Sequence, residues 1–169
     1  TCSKQADNNQ QQMEVQYRIG ELLKAKSASL SAAESCTGGQ ISHLITMVSG
    51  SSSYYLGSVT SYAIKVKESV LGVPSETIEH YGVVSSEVAA AMAEGVRNLM
   101  NSTYSISTTG LAEGCDEHYP EGTVWIAACG PNGTKTLLYH CNSGRKGNIR
   151  QFAKAALTFL EGCILKGDI

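Results

Sequence analysis

The chain lacks the features that mark several common classes of protein. Its 169 residues contain no signal-peptide pattern and no apolar run near the roughly 20 residues that a membrane-spanning helix needs. Thirteen basic residues against fifteen acidic ones give a formal net charge of -2, which argues against a nucleic-acid binder with a basic surface. We therefore expect neither a membrane nor a nucleic acid as a partner, and a cytoplasmic location.

The six cysteines include no Cys-x-x-Cys pair, the spacing typical of zinc knuckles and thioredoxin-like redox sites. They are Cys2, Cys36, Cys115, Cys129, Cys141 and Cys163. A chain of this length can build a core without a disulfide framework, so mostly reduced thiols are expected. His, Asp and Glu residues form no group at metal-ligand spacing, so we expect no metal and no other cofactor.

Length and composition indicate a single globular domain. Hydrophobic residues make up 42% of the chain and aromatic residues 7%, while 169 residues are too few for two comfortable domains. We place the domain at residues 10–165 and expect residues 1–9, which are polar and rich in Asn and Gln, to be disordered. The chain begins at Thr1 and not at Met, which is compatible with an upstream segment.

Hydrophobic periodicity predicts helices that alternate with strands along most of the chain. The predicted helices cover residues 13–26, a stretch after Gly39, and residues 63–71, 74–81, 85–100 and 147–160. The predicted strands cover residues 28–33, 56–61 and 104–109, and a hairpin of residues 123–129 and 134–140. This alternation, with one late hairpin, predicts a three-layer α/β/α single domain with a mixed β-sheet.

The helix over residues 85–100 is predicted to begin at a Ser85 N-cap. Its buried stripe is predicted to consist of Val88, Met92, Val96, Leu99 and Met100.

The segment Ala33-Glu34-Ser35-Cys36-Thr37-Gly38-Gly39 joins a predicted strand to a predicted helix. Such a turn puts backbone N–H groups and the positive end of the helix dipole beside Ser35, which suits an oxyanion or a phosphate. A serine here also commonly serves as a helix N-cap. Cys36 is a competing nucleophile, since helix N-termini lower thiol pKa values. It lacks an evident partner, because His43, the histidine nearest in sequence, is expected to face solvent.

Two further segments are predicted at the same rim of the sheet. In the first, Ser61 to Lys67, the lysine is either a solvated surface residue or a desolvated base beside a serine hydroxyl. In the second, Thr108-Thr109-Gly110, a strand ends in a turn, and these residues either cap the turn or line a site.

Several motifs occur in the order found in one protein family. They are the segment from Ala33 to Gly39, Gly50-Ser51-Ser52-Ser53-Tyr54, Tyr62 with Lys67 before Leu71-Gly72-Val73-Pro74, Gly82-Val83-Val84-Ser85, Thr109-Gly110, and Gly122-Thr123-Val124-Trp125. Together they resemble the C-terminal domain of the CinA competence/damage-inducible family, the nicotinamide mononucleotide (NMN) deamidases, over residues 10–163.

The resemblance implies an amidohydrolase that converts NMN to nicotinic acid mononucleotide and ammonia. By this resemblance Ser35 is the nucleophile, Lys67 is the general base that later protonates the leaving ammonia, and Tyr62 helps to place the dyad or the pyridine ring. Backbone N–H groups of Thr37, Gly38 and Gly39 are expected to hold the oxyanion. The resemblance also implies that six further residues contact the substrate: Cys36, Ser52, Thr109, Gly110, Arg145 and Arg150.

Two departures from the family pattern bear on substrate choice. The family's Gly-Pro-Gly-rich loop is replaced by residues 111–117, where Glu113, Asp116 and Glu117 bring negative charge towards a phosphate-bearing ligand. The family's Gly-Asp-Arg reads Gly144-Arg145-Lys146 here, which leaves Arg145, Lys146 and Arg150 as alternative phosphate ligands.

Two alternatives to NMN hydrolysis therefore stand beside it. One is a non-catalytic nucleotide-binding module that acts through a partner protein, and the other is a hydrolase of another small amide. Members of the family resemble homo-oligomers, so we expect a homo-oligomer, most simply a dimer, for which the helix over residues 85–100 offers a self-packing face.

Overall fold

The computed structural model describes residues 13–169, so the predicted disorder of residues 1–9 lies outside the described part of the chain. The elements follow one another as α1 (Val15–Ala25), β1 (Leu30–Glu34), α2 (Gln40–Thr46), a 3-10 turn (Ser51–Ser53), β2 (Tyr55–Thr60), α3 (Ile64–Ser69), α4 (Ser75–Tyr81), α5 (Ser86–Met100), β3 (Tyr104–Leu111), β4 (Thr123–Gly130), β5 (Gly133–His140) and α6 (Gly144–Lys166).

The strands form one mixed sheet in the order β2-β1-β3-β4-β5. Strand β1 pairs in parallel with both β2 and β3, whereas β4 is antiparallel to β3 and to β5. All five residues of β1 are buried, as expected of a strand covered on both faces. The predicted mixed sheet is confirmed.

Helices cover both faces of this sheet, which confirms the three-layer α/β/α architecture. On one face α1, α2 and α6 close the larger core, which contains Ile19, Ile41 and Leu157. On the other face α4, α5 and the segment after α3 form a second cluster around Leu71 and Met92. Burial of this apolar surface is the main stabilising term in the fold. Within residues 13–169 no helix has the length and apolarity that crossing a bilayer would take.

Most predicted elements lie where periodicity placed them, with two corrections. Helix α6 begins at Gly144 and ends at Lys166, so it is longer at both ends than the predicted residues 147–160. Met100, predicted in the buried stripe of α5, is only partly buried, and Leu99, also predicted there, is 54% exposed. Its neighbours Met92 and Val96 are fully buried as predicted, because the sheet covers only a narrow stripe of this helix. The Ser85 N-cap is confirmed, since its side chain accepts a hydrogen bond from Val88 N.

Close packing of α5 on the end of α3 depends on Gly95. A Cβ atom there would overlap the backbone carbonyl of Leu71, which follows α3. Alanine favours a helix over glycine by up to about 1 kcal/mol, but forcing two backbones apart costs about 1–3 kcal/mol. We expect Gly95→Ala to lower the free energy of unfolding in urea denaturation by about 1–2 kcal/mol.

Gly162 in α6 provides the matched control, since a Cβ atom there would meet no atom within 4 Å. Gly162→Ala should raise the free energy of unfolding by up to about 1 kcal/mol. Equal effects of the two substitutions would contradict the packing argument.

The topology brings three strand ends together at one rim. Glu34 at the end of β1 pairs with Thr60 of β2 and with Thr108 of β3. The chain leaves β1 towards α2 on one face and leaves β2 towards α3 on the other. Such a switch point opens a crevice beyond the carboxyl ends of parallel strands, where ligands commonly bind in α/β folds.

Candidate active site

The turn after β1 holds Ser35 at the floor of this crevice. Ser35 N donates a hydrogen bond to Thr108 O at 3.1 Å, and the residue is only 8% exposed. Gly38 and Gly39 have φ values of 57° and 105°, in the left-handed region that favours glycine. These two glycines let the chain turn sharply from β1 into α2 with Ser35 at the bend.

A buried carboxylate that sequence reasoning missed stabilises the turn. Glu34 accepts hydrogen bonds from Thr37 Oγ1 at 2.7 Å, from Ile41 N at 2.8 Å and from Ser42 N at 3.1 Å. The last two are N–H groups of the first turn of α2, which have no partner within the helix. Thr37 Oγ1 also lies 2.8 Å from Thr108 Oγ1, so the turn is tied to β3. The available signal was an acidic residue at the end of an otherwise apolar strand, just before a helix N-terminus.

Lys67 reaches from α3 to the same point. Its Nζ atom lies 2.9 Å from Ser35 Oγ and donates to the carbonyl oxygens of Ser61 at 2.6 Å and Tyr62 at 3.2 Å. The residue has no exposed surface. Of the two interpretations of Lys67 that the sequence left open, the structure therefore excludes the solvated surface lysine.

Burial changes the acidity of this amine. Desolvation lowers the pKa of Lys67 from its ordinary 10.5, because burial disfavours the charged form. The ion pairs of the described residues are Arg18–Glu161 and Arg145–Glu113, so within that part of the chain no carboxylate lies within 4.0 Å of Lys67. A lysine without a neutralising partner is more easily a neutral amine, which can accept a proton.

Cys36 has the opposite character. Burial raises the pKa of its thiol to about 12, and this effect outweighs the lowering by its hydrogen bond with Thr108. The thiol therefore stays protonated at neutral pH and is a poor nucleophile. His43 is exposed on α2, as expected, so it offers no partner to the thiol. Of the two candidate nucleophiles, the geometry favours Ser35.

An open cleft of about 400 Å³ leads from solvent to Ser35. Its wall includes Cys36, Tyr62, Gly110, Glu113 and Arg145. Tyr62 is 64% exposed, and its hydroxyl accepts a hydrogen bond from Arg145 Nη2 at 3.3 Å. The volume is in the range of small-molecule sites.

Other predicted site residues are only partly assembled around this cleft. Thr109 is buried behind it and donates a hydrogen bond to Val83 O at 2.9 Å. Gly110 lines the cleft, but a Cβ atom there would meet Thr123 O at 2.5 Å, so close packing against β4 already requires a glycine. Of the predicted oxyanion donors, Gly38 N is engaged with Ser35 O at 3.1 Å.

Ser52 and Arg150 do not reach the cleft, contrary to expectation. Ser52 precedes β2, and because β2 is parallel to β1 its start lies at the end of the sheet opposite Ser35. Arg150 is exposed on α6 and is not part of the cleft wall. Five residues along a helix rotate a side chain by about 140°, away from Arg145. Of the three alternative phosphate ligands, only Arg145 lines the cleft, and Lys146 does not.

Other features of the described residues offer no competing chemistry. A larger depression of about 550 Å³ lies between β5 and α6, but its wall is mostly apolar and holds no nucleophile paired with a base. Within residues 13–169 no three His, Cys, Asp or Glu side chains are grouped as metal ligands. The cysteines in this range, Cys36, Cys115, Cys129, Cys141 and Cys163, are free thiols, as predicted for them.

Fold and site together define a class: three-layer α/β/α proteins with a serine at a strand-to-helix turn and a buried lysine against its hydroxyl. The chain belongs to the CinA C-terminal domain family, whose family model matches residues 12–164.

Curated relatives support this membership. The chain is 40% identical over 148 residues to a CinA-like protein of Cytophaga hutchinsonii, covering 86% of this chain and 35% of that protein. It is 44% identical over 141 residues to a CinA-like protein of Salinibacter ruber, covering 82% of this chain and 34% of that protein. The chain thus spans about a third of the length of these relatives.

Solved structures show the same fold. Competence damage-inducible protein A (ComA) of Klebsiella pneumoniae superposes with a TM-score of 0.87 at 26% identity, covering 90% of this chain and 96% of that one. The competence/damage inducible protein CihA of Agrobacterium tumefaciens superposes with a TM-score of 0.82 at 30% identity, covering 88% and 93%.

Proposed function

We propose that this chain is an amidohydrolase that converts NMN to nicotinic acid mononucleotide and ammonia, with Ser35 as nucleophile and Lys67 as general base. The observation that carries the proposal is the buried Lys67 amine, which lies 2.9 Å from Ser35 Oγ and has no carboxylate partner among residues 13–169. The choice of NMN rests on the family resemblance.

The hydrogen bonds of Lys67 suit a base. A neutral amine has two hydrogens and one lone pair, and the carbonyl oxygens of Ser61 and Tyr62 accept both hydrogens. The lone pair is then left for the third neighbour, the Ser35 hydroxyl. In this state Ser35 donates to Lys67, which is the arrangement that proton abstraction requires.

In the first half of the reaction, Ser35 Oγ forms a bond to the carboxamide carbon while its proton passes to Lys67. The electron pair of the C=O bond moves to oxygen, which gives a tetrahedral oxyanion. When this intermediate collapses, the C–N bond breaks and Lys67 gives its proton to the nitrogen. Ammonia leaves, and an ester to Ser35 remains.

In the second half, water attacks the ester carbon and passes a proton to the again neutral Lys67. Collapse of the second tetrahedral intermediate breaks the bond to Ser35 Oγ, and Lys67 returns the proton to that oxygen. The amide and one water molecule have become the carboxylic acid and ammonia, and Ser35 and Lys67 are restored.

Backbone donors for the oxyanion are available in the turn. Within residues 13–169, Thr37 N and Gly39 N donate no hydrogen bond to another backbone group, whereas Gly38 N is already engaged. The positive end of α2 adds a favourable dipole. Removing one such donor typically costs roughly 3–4 kcal/mol of transition-state stabilisation. We assign this role to the unengaged donors.

The substrate spans the cleft in this proposal. Its carboxamide lies at Ser35, its pyridine ring beside Tyr62, and its phosphate towards Arg145, whose planar guanidinium suits a phosphate. The direct test is an ammonia assay with NMN and a panel of other small amides. Release from NMN supports the proposal, and release only from another amide assigns the same dyad a different substrate.

The rate should depend on pH through Lys67. Below its lowered pKa the amine is charged and cannot take a proton, so kcat/KM should rise with pH and level off before the ordinary lysine value of 10.5. The free energy of unfolding should also rise with pH. Below the folded-state pKa the buried, charged amine destabilises the fold, and this destabilisation disappears as pH rises towards 10.5. Kinetics between pH 5 and 10 test this, and a kcat/KM that falls with rising pH from the acid end would contradict it.

A second candidate function is a nucleotide-binding module that has lost catalysis and acts through a partner protein. It is favoured by the acidic side chains Glu113 and Asp116 in the cleft wall, which weaken an anionic substrate's binding. Calorimetry that detects NMN binding without ammonia release would support it, and steady turnover would exclude it. A homo-oligomer in a reducing, cytoplasmic setting remains our prediction for either function.

A further inference from the structure

We propose that Glu113 competes with the phosphate of the substrate for Arg145, and so sets the preference of the site between phosphorylated and phosphate-free pyridine amides. The inference rests on the proposed function, and it concerns Glu113 in the loop of residues 111–117, where this chain departs from the family pattern.

Arg145 is engaged on both arms of its guanidinium. Nη1 lies 3.3 Å from Glu113 Oε2, and Nη2 donates to the Tyr62 hydroxyl at 3.3 Å. All three residues line the cleft that leads to Ser35. A planar guanidinium binds carboxylates and phosphates through the same N–H groups. The Glu113 carboxylate therefore occupies the donor that an anionic end of a ligand would use.

A buried amide side chain builds this pairing. Asn148 has no exposed surface; its Nδ2 donates to Ala112 O at 2.9 Å, and its Oδ1 accepts from Ser143 N at 2.8 Å. Ala112 immediately precedes Glu113, and Ser143 lies two residues before Arg145. The Asn148 side chain thus ties the loop that carries Glu113 to the start of the helix that carries Arg145.

A second contact holds the other side of Glu113. Gly114 N donates to Glu121 Oε1 at 2.9 Å, and Gly122 N donates to Leu111 O at 2.8 Å, which closes the loop at its base. With both neighbours of Glu113 held, the loop backbone keeps this residue at the wall of the cleft.

The Arg145–Glu113 ion pair is strong enough to compete with a phosphate for Arg145 and weak enough for a phosphate to replace it. The Arg145 and Glu113 side chains are 48% and 63% exposed, so water screens their attraction. A phosphate dianion makes charge-assisted hydrogen bonds to arginine and can displace the carboxylate. Binding of the phosphate therefore requires the Arg145–Glu113 pair to be broken first. Glu113 therefore lowers affinity for phosphorylated ligands without abolishing it.

The test is Glu113→Gln, which keeps the size of the side chain and removes its charge. We expect the ratio of kcat/KM for NMN to that for nicotinamide riboside to rise about three- to tenfold. Glu117→Gln is the matched control, because it removes the same charge from the same loop, but Glu117 does not line the cleft. In Glu117→Gln the ratio of kcat/KM for NMN to that for nicotinamide riboside should change by less than about twofold, as expected for a screened surface charge.

A double-mutant cycle separates competition for Arg145 from general repulsion. In an Arg145→Gln background the effect of Glu113→Gln on the ratio should largely disappear, because no guanidinium is left to release. The inference is overturned if Glu113→Gln leaves the ratio unchanged, if Glu117→Gln raises it equally, or if the effect survives without Arg145.

Calorimetry with NMN gives a readout that does not depend on turnover. Glu113→Gln should tighten NMN binding by a similar factor to the change in the ratio. If the wild-type protein releases no ammonia but this tightening is observed, the proposed hydrolase fails while the role of Glu113 stands. If ammonia is released and binding is unchanged by the substitution, the inference alone fails.

Discussion

Ser35→Ala is expected to lower ammonia release from NMN by about a thousandfold or more, to the level set by binding and the oxyanion donors alone. The substitution removes the oxygen that attacks the carboxamide in the proposed mechanism. The Lys67 amine would remain but would have no hydroxyl to activate. An ammonia assay on purified protein measures the effect, with circular dichroism to show that the fold is retained.

Ser69→Ala is a suitable control, because Ser69 is an exposed serine at the end of the helix that carries Lys67. It should retain the wild-type rate. If Ser35→Ala hydrolysed NMN at the wild-type rate, the nucleophile would have to be another group. Cys36 is a weak candidate for that role, since burial raises the pKa of its thiol to about 12.

The second large effect is expected for Lys67→Met, which should lower kcat by about 10²- to 10⁴-fold, the usual contribution of a general base. Methionine keeps an unbranched apolar stem in the buried site but cannot accept a proton. Because Ser35 and Lys67 act as a unit in the proposed mechanism, the double variant should be little slower than the slower single variant.

Two further variants separate basicity from charge and from position. Lys67→Arg keeps a positive charge but not a base, because the guanidinium does not lose its proton, and it should be as slow as Lys67→Met. Lys65→Met removes an exposed lysine two residues away on the same helix and should retain activity. Substantial turnover by Lys67→Met together with a correct fold would exclude Lys67 as the base.

Sequence patterns were sufficient to predict those features of the fold that depend on residues adjacent in the chain. An apolar strand followed by the turn residues Pro131-Asn132-Gly133 predicted the hairpin of β4 and β5 within a residue or two of its bounds, because strand burial and turn chemistry are properties of adjacent residues. The Ser85 cap was predictable for the same reason. The exposure of Leu99 was not predictable, because helical spacing does not reveal how wide a stripe of the helix the neighbouring sheet covers.

The candidate site was predictable only in part. The glycine turn around Ser35 is visible in the sequence, since two glycines between a strand and a helix have few other uses. The carboxylate of Glu34 beneath that turn was missed, because its donors at Ile41 and Ser42 become neighbours only when α2 forms.

By itself, the sequence determined the α/β/α class, the position of the turn and the two candidate nucleophiles, because these depend on residues adjacent in the chain. Only the tertiary structure decided that Lys67 is buried against Ser35, because the two residues lie 32 positions apart in the chain and only folding brings them into contact. It also decided that Ser52 lies at the far end of the sheet and that Arg145 is paired with Glu113. Contacts between distant segments are set by how strands order and helices pack, and no local pattern encodes them.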